Sequence, residues 1–228
     1  MKLIRIAAFA VAGYLIGSVS FGRIVGKVVA PGQDMADTEL ELPGGAELTY
    51  RGVSATSVAV NTSPVWGIVT GVLDTAKAFI PTLVAARRWP EEPYQAAIAT
   101  GVMVGHNYPL YHGFNGGRGQ TPFYGSVLAM DPIAVPITNV AAVGIGVGLL
   151  REMLASYTLG MWLAIPWFAW RRRTPELVFS VIGNVLLTIR IIPEIKDYLE
   201  LRRSGQIDKV DTWSGFVSSY PAMNKRDR

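Results

Sequence analysis

The sequence contains no cysteine and only two histidines among its 228 residues. Disulfides, thiol nucleophiles and cysteine-based metal sites are therefore excluded. Charged residues make up only 17% of the chain, and 21 basic against 17 acidic residues leave a net charge of +4. That charge suits contact with anionic lipid or phosphate, but it is too small to indicate a nucleic-acid-binding protein. No metal site is expected either, because the histidines stand six residues apart, on different helical faces, with no acidic cluster beside them in the sequence.

Long apolar stretches are what the sequence has in abundance. They are Leu3–Ala30, Val65–Ala86, Tyr94–Tyr111, Ile133–Leu150, Leu154–Trp170 and Pro175–Ile192. A helix needs roughly 20 predominantly apolar residues to cross a bilayer, and lipid offers no water to backbone polar groups, so these stretches predict helices. The sequence thus predicts an all-α polytopic membrane protein. We expect about seven transmembrane helices, one of them short and lying near Thr121–Met130, with glycine-rich loops on the cytoplasmic side.

The basic residues predict an orientation in the plasma membrane. With the N-terminus outside and seven helices, the cytoplasmic side receives the basic tail and three loop arginines, Arg51, Arg118 and Arg151. Arg87-Arg88 and Arg171–Arg173 then fall on the opposite side. A six-helix count would bring the triple arginine inside but expel either the tail or the glycine-rich loop. We expect one transmembrane domain over residues 1–200 and a polar, basic tail over residues 201–228.

The most informative local signal is the run Gly116-Gly117-Arg118-Gly119. Consecutive glycines let backbone N–H groups point into one concavity that binds anions, and the arginine adds a forked cationic donor. A helix is expected to begin just after the loop, and helix N-termini also favour phosphate. A tight turn between two helices could use the same four residues, so the loop by itself leaves both interpretations open.

Four further polar residues stand near this loop or inside an apolar stretch. His106 and His112 flank the loop, where each could serve as a general base, donate to phosphate, or simply form an interfacial hydrogen bond. Asp74 and Lys77 stand at i, i+3 on one face of an apolar helix, a spacing that allows them to pair. Charges within membrane helices are costly and usually functional, but a structural ion pair is an equally good interpretation here.

Hydroxyl groups cluster at Ser54, Thr56 and Ser57, shortly after Arg51. Hydroxyls at the start of a helix often only cap it, and that interpretation is the stronger one for the residues taken alone. A Ser–His–Asp triad finds no support in the spacing of the available residues.

Taken in order, these segments resemble the bacterial acyl-phosphate-dependent glycerol-3-phosphate acyltransferases, over roughly Gly13–Leu201. The matching segments are Gly13–Gly22, Ser54–Val58, Asp74-x-x-Lys77-x-x-x-Pro81, Gly105-His106-x-Tyr108-Pro109, Gly113–Gly119, Arg151 and Ile189-Arg190. The most specific of these is the glycine–histidine pair, followed at the family's spacing by the Gly-Gly-Arg-Gly loop.

The resemblance implies transfer of a fatty acyl group from acyl phosphate to the 1-hydroxyl of glycerol 3-phosphate, with membrane lipid as the surroundings. Because acyl phosphate is already activated, no metal, cofactor or covalent nucleophile is expected. The substrate- and phosphate-binding residues that it implies are Arg51, Asp74, Lys77, Asn115, Gly116, Gly117, Arg118, Gly119 and Arg151. The catalytic residues that it implies are His106, which orients the loop or a substrate, and the hydrogen-bond donors Ser54, Thr56 and Ser57.

The chain departs from the family's pattern in its first and closing motifs. Tyr50–Gly52 replaces a glycine- and asparagine-rich stretch, and Ile191, Ile192 and Glu194 replace His, Arg and Asn. A carboxylate here would repel phosphate unless it is paired, so we expect Glu194 near a basic residue and Arg51 facing the glycine loop. Two alternatives stay open: an acyltransferase with another acceptor, or a non-catalytic membrane protein that binds lipid or a partner.

Overall fold

The computed structural model describes residues 1–41, 46–150 and 153–206. The expected site residue Arg151 and the tail beyond residue 206 lie outside the described residues. The described α-helices are α1 Lys2–Gly17, α2 Phe21–Val29, α3 Ala55–Asn61, α4 Pro64–Arg88, α5 Tyr94–Asn107, α6 Gln120–Met130, α7 Ala134–Val143, α8 Met153–Trp170 and α9 Thr174–Arg203. A 3-10 turn covers Leu110–His112, a π-helical segment, Gly144–Leu149, continues α7, and the strands are β1 Asp37–Glu41 and β2 Glu47–Arg51.

The first apolar stretch is broken between α1 and α2 rather than forming one continuous helix. Ser18 follows the last residue of α1, and its hydroxyl donates to the carbonyl of Tyr14 (2.8 Å) and accepts from the N–H of Leu110 (3.1 Å). The carbonyl of Val19, which α2 does not use, accepts from the ammonium of Lys77 at 2.8 Å. The break therefore supplies a backbone oxygen to a buried cation.

Four glycines bring α1 and α5 into backbone contact. A methyl group added to Gly13, Gly17, Gly101 or Gly105 would collide with a carbonyl oxygen of the facing helix. Such small-residue faces are how membrane helices approach closely. The expected close-packing face of the first helix is confirmed, and the matched order of the contacts shows that α1 and α5 run parallel.

Helical segments run back and forth between two ends of the bundle. One end, here called the far end, contains the start of α1, the end of α4 and the start of α5, and a salt bridge joins Lys2 to Glu92 there (2.9 Å). The other, the loop end, carries the β-hairpin, α3 and the glycine loop. Within the described residues, Lys2–Val29, α4 and α9 are long and apolar enough to cross a membrane. The number of seven spans stays a prediction.

The far end also holds the arginines that the expected orientation leaves outside. Arg171 lies 3.6 Å from Asp131, which also accepts from the indole N–H of Trp167 (3.1 Å) and from the backbone N–H of Ile133 (3.2 Å). Arg173 pairs with Glu176 at 2.7 Å and donates to the carbonyl of Met130 at 2.8 Å. These ion pairs do not remove the conflict with the positive-inside rule, because that rule counts basic residues and not net charge.

The polar stretch after α2 forms a short antiparallel hairpin within a fold that is otherwise helical, as expected. Strands β1 and β2 pair in the register Thr38↔Tyr50, and Asn61 of α3 donates to the Thr38 hydroxyl at 2.7 Å. The side chain of Tyr50 is buried while its neighbour Arg51 is exposed, as the alternation of a strand requires. The hairpin thereby carries the altered first motif to the end of α9.

Candidate functional site

The glycine loop packs directly against the end of α5. The Gly117 N–H donates to the carbonyl of His106 (3.1 Å), and a methyl group on Gly116 or Gly117 would collide with His106. Gly119 has φ +86°, a left-handed conformation that favours glycine, and it caps the start of α6. The helix expected after the loop is confirmed, and a methyl group on Gly119 would collide with the amide oxygen of Asn107.

A buried charge cluster lies beneath the loop. The ammonium of Lys77 lies 2.7 Å from Asp74 Oδ1 and 3.0 Å from His106 Nδ1, and it donates to the Val19 carbonyl. The i, i+3 pairing expected for Asp74 and Lys77 is confirmed. Because an ammonium carries donors only, Nδ1 of His106 must accept, and the proton of a neutral ring then sits on Nε2. That nitrogen faces Gly117.

The serines of the first motif form a reciprocal cap at the start of α3. Ser57 N–H donates to Ser54 Oγ at 3.3 Å, and Ser54 N–H donates to Ser57 Oγ at 2.8 Å. The Ser57 side chain is fully buried and its hydroxyl also donates to the Ser54 carbonyl (2.9 Å). The helix-capping role that the sequence suggested for these hydroxyls is therefore present. Thr56, which lies between the two serines in the sequence, is half-buried. Their catalytic role stays a prediction.

Arg118 is held by two partners from the altered motifs. Its Nη2 lies 2.8 Å from Glu194 Oε2, and its guanidinium stacks over the ring of Tyr50 at 3.3 Å. The other oxygen of Glu194 accepts from the backbone N–H of Arg51 at 3.0 Å. The expected basic partner of Glu194 is therefore confirmed, and a carboxylate of the chain itself occupies donors that could hold an anion.

Arg51 does not face the glycine loop, so that expectation is wrong. Its guanidinium pairs with Asp197 of α9 at 2.6 Å and is 44% exposed. The physical reason is the strand: Tyr50 points inward onto Arg118, and the next side chain must point to the opposite face. Lys77 and His106 touch each other and Arg118 pairs with Glu194, but the guanidinium of Arg51 stands apart from them.

Arg190 is a loop-binding residue to which the sequence interpretation assigned no role. Its Nη2 donates to the carbonyl of Gly116 at 2.6 Å and its Nε to that of Gly117 at 3.2 Å. Gly52, with φ +91°, packs so closely that a methyl group there would collide with the Gly116 carbonyl. An arginine within an otherwise apolar membrane helix was the signal that could have identified it.

Two asparagines complete the surroundings of the loop. Asn115 is exposed, and its backbone carbonyl accepts from Arg23 of α2 at 3.1 Å. Asn107 is fully buried beside Gly119, and within the described part of the chain neither polar atom of its side chain has a hydrogen-bond partner. A buried amide without a partner is costly, so Asn107 is a further candidate for contact with a ligand.

The helical bundle and its glycine loop, set among buried cations, define a polytopic membrane protein with a candidate anion site at one end. A sequence profile described as "Glycerol-3-phosphate acyltransferase" matches residues 7–201. The chain belongs to this family, as the resemblance in its motifs indicated.

Relatives and solved structures agree with the family assignment. The glycerol-3-phosphate acyltransferase of Desulfotalea psychrophila is 30% identical over 163 residues, covering 68% of this chain and 77% of the relative. That of Cupriavidus necator is 32% identical over 164 residues, covering 70% and 66%. The crystal structure of PlsY (YgiH), an integral membrane glycerol 3-phosphate acyltransferase, in its glycerol 3-phosphate form, is similar in fold with a TM-score of 0.71 at 21% identity. The matched region covers 92% of this chain and 98% of the chain in that crystal structure.

Proposed function

We propose that the protein transfers a fatty acyl group from acyl phosphate to the 1-hydroxyl of glycerol 3-phosphate, giving lysophosphatidic acid and phosphate. The observation that carries this proposal is the buried Asp74–Lys77–His106 cluster directly beneath the Gly116–Gly119 loop. Relatives named glycerol-3-phosphate acyltransferase support the acceptor, and the motif resemblance supports the donor.

The loop and the start of α6 are suited to hold a phosphate group. The first N–H groups of a helix have no partner within that helix, and they carry the positive end of its dipole. Here that end begins at Gln120, directly after the left-handed Gly119. Arg190 holds the loop by its carbonyls, and Lys77 contacts His106, whose ring packs against Gly117, so a phosphate bound at the loop would lie near two cations.

The transfer needs orientation and charge stabilisation rather than a covalent intermediate. The acceptor hydroxyl oxygen bonds to the acyl carbon, the carbon–oxygen bond to phosphate breaks, and the departing phosphate takes the hydroxyl proton. His106 supports this as a hydrogen-bond donor, because Lys77 occupies its Nδ1 and leaves Nε2–H toward the loop. It acts as a positioning residue beside Gly117 and not as a general base.

The pairing of Arg118 with Glu194 favours a second candidate, acylation of an acceptor with less negative charge than glycerol 3-phosphate. A dianionic acceptor bound at Arg118 would have to displace or approach this carboxylate. A neutral hydroxyl acceptor would not. The further alternative, a non-catalytic membrane protein that binds lipid or a partner, differs from both by predicting no transfer to any acceptor.

We infer that the protein lies in the plasma membrane with the loop end facing the cytoplasm. The reason is the distribution of basic residues. The loop end carries Arg23, Lys27 and Lys196, and the sequence continues from α9 into the basic tail, whereas the far end holds Arg87, Arg88 and Arg171–Arg173.

An assay with purified protein separates these candidates. The protein in detergent or nanodiscs receives palmitoyl phosphate with labelled glycerol 3-phosphate, or with labelled glycerol in a second arm. Lysophosphatidic acid and phosphate formed in equal amounts, only in the first arm, support the main proposal. Acylated glycerol alone supports the second candidate, and the absence of product in both arms, from protein that still melts cooperatively, supports the non-catalytic alternative. Arg88→Ala, an exposed cation at the far end, is the matched control for variants of the site.

A further inference from the structure

A separate basic cavity lies between α2, the segment that follows α2, and His112. The residues that line it are Arg23, Lys27, Gln33, Asp34, Met35 and His112. None of them belongs to the Asp74–Lys77–His106 cluster or to the Arg118–Glu194 pair. The cavity measures about 180 Å³. That is smaller than the roughly 300–1,000 Å³ of sites that enclose a drug-sized ligand, so it suits a small polar group.

The cavity has a positive electrostatic environment. Arg23 and Lys27 stand at i, i+4 on one face of α2, and within the described residues the buried Nε of Arg23 has no hydrogen-bond partner. Burial first, and then the charges of Arg23, Lys27 and Lys77, lower the pKa of His112, which disfavours the charged form of its ring. The one carboxylate of the lining, Asp34, accepts from the backbone N–H of Ala36 at 3.0 Å. Two cations therefore face one carboxylate, and that carboxylate already accepts a hydrogen bond from the backbone two residues on.

Four exposed residues next to the cavity are apolar. Ile24 and Val28, each directly after one of the two cations on α2, are 46% and 73% exposed, and Tyr111 and Phe114 on the adjoining loop are both 55% exposed. Phe114 has φ +62°, a left-handed conformation that is rare for an aromatic residue. A strained backbone therefore holds this exposed ring at the rim of the cavity.

The position of α2 after the first membrane helix places this cavity near the level of lipid headgroups. Helix α1 contains 16 residues, which corresponds to about 24 Å at 1.5 Å per residue. The hydrocarbon core is about 30 Å thick, so α2, which follows the break at residues 18–20, lies near its edge. Cations at that depth meet the phosphates of the lipid layer, while the apolar face of the same helix meets the acyl chains.

We propose that the cavity between α2 and the Leu110–Asn115 loop binds the phosphate of a membrane phospholipid, with the acyl chains lying along Ile24 and Val28. The exposed apolar neighbours favour a lipid over free phosphate as the source of that group. Because Arg23 also donates to the carbonyl of Asn115, the bound lipid lies one contact away from the glycine loop. The proposal does not depend on acyl transfer.

Native mass spectrometry of the full-length protein tests this, with dioleoylphosphatidylglycerol as the probe and dioleoylglycerol, which has the same chains but no phosphate, as the matched ligand. Arg23→Gln/Lys27→Gln is expected to weaken retention of the phosphatidylglycerol at least about tenfold. The reason is that each basic residue near an anionic lipid surface adds to the free energy of lipid binding. The charge-keeping pair Arg23→Lys/Lys27→Arg should retain it. Lys196→Gln/Arg203→Gln removes the same charge from exposed positions on α9 and should also retain it.

Three results would overturn the proposal. One is unchanged phosphatidylglycerol retention in the Arg23→Gln/Lys27→Gln variant while the charge-keeping pair folds normally. Another is an equal loss in the α9 control pair, which would indicate general surface attraction. The third is equal retention of dioleoylglycerol. A lipid-free arm measures the binding of inorganic phosphate. If Arg23→Gln/Lys27→Gln weakens phosphate binding but leaves phosphatidylglycerol retention unchanged, the cavity binds free phosphate and the lipid is rejected.

Discussion

Arg118 Nη2 lies 2.8 Å from Glu194 Oε2, and only 11% and 8% of the two side chains are exposed. The second oxygen of Glu194 accepts from the backbone N–H of Arg51 at 3.0 Å. A cationic side chain and a backbone N–H that converge on one carboxylate are the donors that phosphate would also use. Glu194 therefore occupies donors that an anionic ligand of Arg118 would use, and we expect the pair to lower the affinity of the site for anions.

We expect Glu194→Gln to lower the KM for glycerol 3-phosphate about tenfold and to strengthen inhibition by inorganic phosphate. The amide keeps the volume and one acceptor for the Arg51 N–H but removes the charge that competes for Arg118. A hydrogen bond to a charged group contributes about 1.5–3 kcal/mol, which sets this magnitude. Steady-state kinetics with varied acceptor measure it.

The matched control is Glu176→Gln, a buried carboxylate at the far end that pairs with Arg173 at 2.7 Å. It should leave the KM unchanged even where it lowers the melting temperature. An unchanged or higher KM in Glu194→Gln would contradict the idea that this carboxylate competes with substrate.

Arg118→Ala is expected to lower kcat/KM roughly ten- to a hundredfold while the protein still inserts and folds. The single variant leaves Glu194 buried without its partner, and breaking such a pair by removing one member is strongly destabilising. We therefore include Arg118→Ala/Glu194→Gln, which should recover the melting temperature but not the activity. Double-variant activity within twofold of the parent would reject a role for the guanidinium in substrate binding.

The parts of this site that follow from short-range spacing could be predicted from the sequence. Asp74 and Lys77 pair because side chains three positions apart on a helix lie on the same face. The glycine loop and the helix after it follow from the backbone freedom of glycine and from the composition of Gln120–Met130. Long apolar runs likewise identified the helices, because lipid permits few other structures.

Contacts between distant segments were harder to predict. The side chain of Tyr50 points inward and that of Arg51 points outward because both lie on a strand of the hairpin. A strand shifted by one residue would exchange these two directions. The sequence suggested that Glu194 needs a cation, but the choice of Arg118 over Arg51 is made by tertiary packing. Arg190 escaped assignment for the same reason, since only the fold brings its guanidinium to the carbonyls of the loop.

His106 is expected to act through its Nε2–H, so His106→Gln should keep more activity than His106→Ala. A glutamine can supply an N–H donor toward Gly117, whereas alanine cannot. The dependence of kcat on pH should have the same shape in His106→Gln and in the parent, because no proton is taken up by the ring. Loss of an acidic limb in the glutamine variant alone would instead identify His106 as a general base.

Topology can be tested cleanly because the chain has no native cysteine to give background labelling. Glu91 is exposed at the far end, beside Glu92, which pairs with Lys2, and Lys196 is exposed at the loop end on α9. In intact cells, Glu91→Cys should react with a membrane-impermeant maleimide, and Lys196→Cys should react only after permeabilisation. The reason is that an odd number of passes separates Glu91 at the far end from Lys196 at the loop end. The distribution of basic residues then places the loop end inside. Labelling of both variants from one side would contradict seven passes, whereas an exchanged pattern would keep the passes and reverse the orientation.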